Sequence, residues 1–110
     1  MPYVFIHSYF PGHKAEEISK VYLEEDKKFR VASRGLAKEI IPNAVLSTPE
    51  GMDVIGVQDV KEGNLEKFLM VQYESMVPYQ RIEGFKYKIV VRLKITEALG
   101  MIGLKAPEPL

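Results

Sequence analysis

The chain has 110 residues, with fifteen basic residues balancing fifteen acidic ones, 46% hydrophobic residues, 27% charged residues and no cysteine. This is the size and balance of one ordinary globular domain. The neutral charge argues against nucleic acid as the main partner, because such binders carry a basic excess that releases counterions from phosphate. The absence of cysteine excludes disulfides, iron–sulfur clusters, thiolate zinc sites and cysteine nucleophiles.

MPYVFIHSYF opens the chain without the basic start and small-residue cleavage site of a signal peptide. No apolar run approaches the ~20 residues of a membrane helix. Together these features predict a soluble, cytoplasmic protein with no membrane partner. Residues 3 to 10 are aromatic and β-branched and stop at Pro11-Gly12, which predicts a first strand. HKAEEISKVYLEEDKKFRVASRG then repeats apolar residues at helical spacing (Ile18, Tyr22, Phe29, Ala32), with Glu25 interrupting the stripe. Glu16 and Glu17 suit the positive end of the helix dipole, Lys27, Lys28, Arg30 and Arg34 suit its negative end, and Gly35 suits a left-handed C′ position.

KEIIPNAVLST predicts a second strand, placed at an edge or on a bulge because Pro42 lacks the N–H a central strand donates. Thr48-Pro49-Glu50-Gly51 fits a type I turn into a third strand, MDVIGVQDV. Asn64 is the expected N-cap of a second helix with Leu65, Phe68, Leu69, Gln72 and Met76 on one stripe, ended by Pro78. Met70, Val71, Tyr73 and Val77 widen that stripe and hint at association beyond a dimer. FKYKIVVRLKI alternates strictly and predicts a last strand with one apolar and one mostly basic face. Thr96 to Leu99 predict the cap and first turn of a short last helix ending near Gly103. The expectation is one domain over residues 1–103 and a flexible tail over 104–110.

The order β-α-β-β-α-β suggests two related halves. Gly12 and Gly63, Ile18 and Leu69, and Tyr22 and Tyr73 share one offset, which also aligns Val4 with Ile55 and His7 with Gln58. This points to an α+β, ferredoxin-like domain, with a four-stranded antiparallel sheet and two helices on one face. On that alignment Val4, Ile6, Ile55 and Val57 belong under the helices. Tyr3, Phe5, His7 and Tyr9 belong on the opposite face, with Val54, Gly56, Gln58, Val60 and the basic side of the last strand. Such a row of rings is a larger patch than a monomer usually exposes, so a homodimer joined through the sheet faces is expected.

The element order, YVFIHSYF as first strand, FKYKIVVRLKI as last and TEALGMIG behind it resemble the dimeric α+β barrel superfamily. That superfamily includes muconolactone isomerases and cofactor-free antibiotic-biosynthesis monooxygenases. The resemblance runs from Tyr3 to about Gly103. It implies two ferredoxin-like protomers packed sheet to sheet around a ligand-sized interior. Its active sites differ between families, so it implies no catalytic residue here.

Among the residues themselves, His7 is the candidate for acid–base work, since histidine titrates near neutrality. Tyr9 and Gln58 are candidates to orient a small molecule, and Lys88 and Arg92 to hold an anionic one. The plain alternative is a histidine hydrogen-bonded across a dimer seam. His13 and Glu17 stand four apart, but no third ligand accompanies them, so no metal is expected. Lys86, Lys88, Arg92 and Lys94 could bind an anion, or pair with acids such as Glu39 on a neighbouring strand. No GxGxxG, GxxxxGK[ST], GxSxG or HExxH motif occurs, and no cofactor is expected. Two functions stay open: a small homodimeric module binding a small ligand between sheet faces, and a cofactor-free isomerase or monooxygenase with His7 as general base.

Overall fold

The computed structural model describes residues 1–107. Strand β1 (Tyr3–Phe10) runs through a 3-10 turn (Gly12–Lys14) into helix α1 (Ala15–Ala32). Strands β2 (Ala37–Thr48) and β3 (Gly51–Val60) form a hairpin. Helix α2 (Leu65–Met76) and a 3-10 segment (Val77–Arg81) lead to β4 (Lys86–Arg92) and the short helix α3 (Ile95–Gly100). Residues 104–107 of the expected tail carry no helix or strand, and 108–110 lie outside the described residues.

The four strands form one sheet in the order β2-β3-β1-β4, and every neighbouring pair is antiparallel. Helices α1 and α2 cover one face. Val4 and Val60 from the sheet pack with Phe68 of α2 and with Phe29 of α1. Ile6 and Phe10 pack with Ile18 of α1 and Met76 of α2. The shortest extent is 21 Å, the depth of one helix layer on one sheet layer. This is the ferredoxin-like arrangement.

Local chemistry accounts for most of the boundaries. Pro42 sits where the β2–β3 register shifts, on an edge strand, which is where its missing N–H costs least. Gly51 closes the hairpin at φ +136°, and a Cβ there would stand 2.6 Å from the Phe10 carbonyl oxygen. Ser33 caps α1, so Gly35 takes its left-handed φ of +79° one residue later than expected. Asn64 does occupy the N-cap of α2, but its side chain makes no capping bond. The last helix starts earlier than expected. Lys94, not Thr96, is its N-cap, and the Lys94 backbone N–H donates to Glu97 Oε1 at 2.9 Å.

The register corrects the face assignment of β3. Phe5 pairs with Val57 and His7 with Ile55, while Val4 pairs with Gln58 and Ile6 with Gly56. Directly paired residues share a face. Val54, Gly56, Gln58 and Val60 therefore lie under the helices, and Ile55 and Val57 lie on the open side. The reason is physical. MDVIGVQDV carries apolar residues on both sides, so its alternation does not set its own phase, and a slip of one residue inverts every side chain.

Candidate functional site

Two regions compete for function, one on each side of the sheet. On the open face, β1 carries an unbroken column of rings. Tyr3 meets Phe5 edge-on at 6.3 Å, Phe5 stacks on His7 at 6.4 Å, and His7 stacks on Tyr9 at 6.4 Å. His7 lies opposite Lys88 on one side and Ile55 on the other. The Arg92 guanidinium sits 5.7 Å over the Phe5 ring. Partial burial holds the His7 pKa below its ordinary value of 6.5. Lys88 pushes the same way and Asp53 opposes it, with Arg92 adding to the depression.

This face thus brings His7, Tyr9, Lys88 and Arg92 together and leaves Gln58 out. The expected pairing of the basic stripe with Glu39 does not occur. Glu39 is on the far edge strand and faces the helices, where its carboxylate accepts from Arg30 at 3.4 Å. Lys94 instead donates to Asp59 on β3 at 2.7 Å and lies 5.1 Å over the Tyr3 ring. His13 falls in the 3-10 turn before α1, and Glu17 accepts from Lys14. No cluster of three potential metal-ligating side chains exists among the described residues.

The second region was not anticipated. A cavity of about 400 Å³ opens between α1, α2 and the β3–β2 side of the sheet. Its floor includes Ile6, Ser8, Val54, Gly56 and Gln58, and α1 contributes Tyr22, Glu25, Asp26 and Phe29. Gln72, Ser75 and Met76 enter from α2. Gln58, at 8% exposure, turns its side chain into this space. Gln72, at 6% exposure, donates to Ser75 Oγ at 3.2 Å, and its backbone carbonyl accepts from the Ser75 hydroxyl at 2.7 Å. Polar side chains lining a cavity between two packed layers give a guest groups to bond to.

The cavity exists because small or polar residues stand where a filled core would have large ones. Gly56 has no side chain, and a Cβ there would meet Asn43 Oδ1 at 3.0 Å and the Ile41 and Pro42 carbonyl oxygens at 3.6 Å. Glu25, Gln72 and Gln58 occupy apolar-stripe positions on three different elements. That interruption was visible in the sequence for α1 and α2. It could have identified the pocket had the phase of β3 been known.

The carboxylates of this region lie on its α1 and β2 side. Arg30 donates to Asp26 at 2.8 Å and to Glu39 at 3.4 Å, tying α1 to the edge strand. Asn43 Nδ2 donates to the Tyr22 hydroxyl at 3.4 Å across the same gap. Burial raises the Tyr79 pKa, and Glu25, Tyr22 and Asp26 raise it further, so the phenol stays neutral.

No helix among the described residues is long and apolar enough to cross a membrane. No family model matches the chain. No curated protein matches it either. Among solved structures it is similar to a dimeric ferredoxin-like protein from an uncultured marine organism, with 16% identity and a TM-score of 0.52. The match covers 86% of this chain and 97% of that one. The likeness agrees with the sheet order and identifies the fold as ferredoxin-like.

Proposed function

We propose that this protein binds a small molecule in the cavity between sheet and helices, and that two protomers pair through their open sheet faces. The observation that carries the binding reading is a cavity of about 400 Å³ between sheet and helices, lined by the polar side chains of Gln58 and Gln72 among aromatic ones. That volume lies within the range of small-molecule sites, and its mixture of aromatic walls and a few polar groups is their usual composition. Pairing is supported by the open face, where Phe5, Ile41, Ile55 and Val90 share the side of the sheet away from α1 and α2. The solved neighbour is itself described as dimeric. The absence of cysteine suits a reducing cytoplasm, which is the setting we assign.

The test uses 2-phenylethanol as a neutral probe and amide chemical-shift mapping as the readout. Shifts are expected at Ser8, Gln58, Gln72 and Ser75. The near-isosteric Gln58→Met should abolish them while leaving stability within about 1.5 kcal/mol of the parent, because the two side chains fill similar volumes. Shifts confined to the open face would overturn the reading.

A second reading rests on His7. Its depressed pKa leaves the imidazole neutral near pH 7 and able to accept a proton. Lys88 and Arg92 would hold an anionic substrate beside it, with Tyr9 against the ring. On this reading the protein is a cofactor-free isomerase or monooxygenase acting at the sheet face. Benzoate is the probe here. It should move the His7 ring-proton signals in the parent and not in Arg92→Ala, and unmoved His7 signals in the parent would remove the reading.

A further inference from the structure

The cavity has a sign as well as a shape. Glu25, Asp26 and Glu39 line it, and no lysine, arginine or histidine does. Two of the three carboxylates are neutralised from outside by Arg30, which spans Asp26 and Glu39. Glu25 differs. Its side chain is 14% exposed, while its partner Lys28 is 71% exposed and 3.5 Å away. A pair held by so solvated a lysine is worth little and yields readily to a competing cation. The rest of the lining is largely aromatic and aliphatic, with Phe10, Ile18, Tyr79 and Phe85. The side-chain amides of Gln58 and Gln72 line it too.

We infer that the cavity selects a small apolar, preferably aromatic, molecule carrying a protonated amine, with the ammonium on Glu25 and the body against Phe10, Ile18 and Phe85. This rests on the binding reading above and adds the chemical class of the ligand. An ammonium donates three hydrogen bonds and accepts none. It therefore matches a lining that holds carboxylates and no cation, whereas a carboxylate guest would face Glu25 without a counter-ion. The field is also felt at Tyr79, whose phenol the two acids of α1 help to keep protonated. The anionic ligand expected from the basic strand belongs, if anywhere, to the other side of the sheet.

Three probes of one shape separate the inference from its foundation: 2-phenylethylamine, 2-phenylethanol and 3-phenylpropionate, titrated at pH 7 against the full chain with shift mapping. The amine should bind about tenfold tighter than the alcohol, the gain of one charge-assisted contact, and the carboxylate should bind weakest. Glu25→Gln should bring amine and alcohol to the same affinity while leaving the alcohol unaffected. The exchange is isosteric and breaks only a pair with a solvated lysine, so the fold should survive, and an unchanged melting temperature checks this. If the alcohol shifts Ser8, Gln58 and Gln72 but the amine gains nothing, or Glu25→Gln leaves the preference intact, the amine assignment is overturned and the pocket stands. If none of the three shifts those residues, pocket and assignment fall together.

Discussion

On the covered face of the sheet, Val4, Val60 and Ile89 meet Phe68, and Ile6 and Phe10 meet Ile18 and Met76. On the open face, Phe5 stands between Val57 and Val90, and Ile55 stands beside His7. Both faces are apolar in the middle, yet their polar residues are arranged oppositely. The covered face places Gln58, Gln72 and Glu25 inside, around an unfilled volume. The open face places its charges at the margin, with Lys86, Lys88 and Arg92 along the β4 edge and Asp53 and Asp59 towards the ends of β3. A rim of charge around an apolar centre is how an interface is built. Polar groups at the centre of a partly hollow layer are how a binding site is built.

The sharpest way to break that contrast is to truncate one phenylalanine on each face. Phe68, fully buried between Val4 and Val60, should cost about 3–5 kcal/mol on conversion to Ala, because it leaves a cavity in the tighter part of the core. Chemical denaturation would measure it. Phe5→Ala removes a ring from the face away from α1 and α2, so the loss of protomer stability should be smaller. Its main effect should be on pairing, with the dimer dissociation constant rising about thirtyfold or more, as for a central aromatic anchor. Sedimentation equilibrium reads it directly. Equal loss of stability in both variants with no change in assembly would mean that the open face is not an interface.

Much of this was legible in the residues. The alternation of β4 gave both of its faces correctly, because Phe85, Tyr87, Ile89 and Val91 fall on one parity and only Val90 joins the basic residues on the other. The β1 column was legible for the same reason. β3 was not, since Val54, Ile55, Val57 and Val60 put apolar residues on both parities, and the internal repeat supplied a phase one residue out. Gln58 was consequently assigned to the wrong side, and with it a polar group that lines the cavity. The exchange of partners along the basic strand was also hidden. Which acid lies near Lys94, and which base near Glu39, depends on strand order, and strand order is not carried by any single strand.

The smallest effect concerns His7, and its direction follows from the open face alone. Partial burial among Phe5 and Tyr9 disfavours the imidazolium, Lys88 adds repulsion, Asp53 offsets part of it, and Arg92 contributes on the side of Lys88. The folded pKa therefore lies below the ordinary 6.5, and between those two values the unfolded chain holds more protons than the folded one. Stability from this group is complete above about pH 6.5 and is lost as the pH falls through the folded pKa. A partner covering the face would bury the ring further, so dimer dissociation should rise over the same window. His7→Gln keeps a polar side chain in the column and removes the titration. Melting temperature and dimer dissociation measured at pH 7.5 and 5.0 should thus change less in His7→Gln than in the parent. A dimer that tightens on acidification, or a variant with the parent's full pH dependence, would place the ring in water and contradict a covered face.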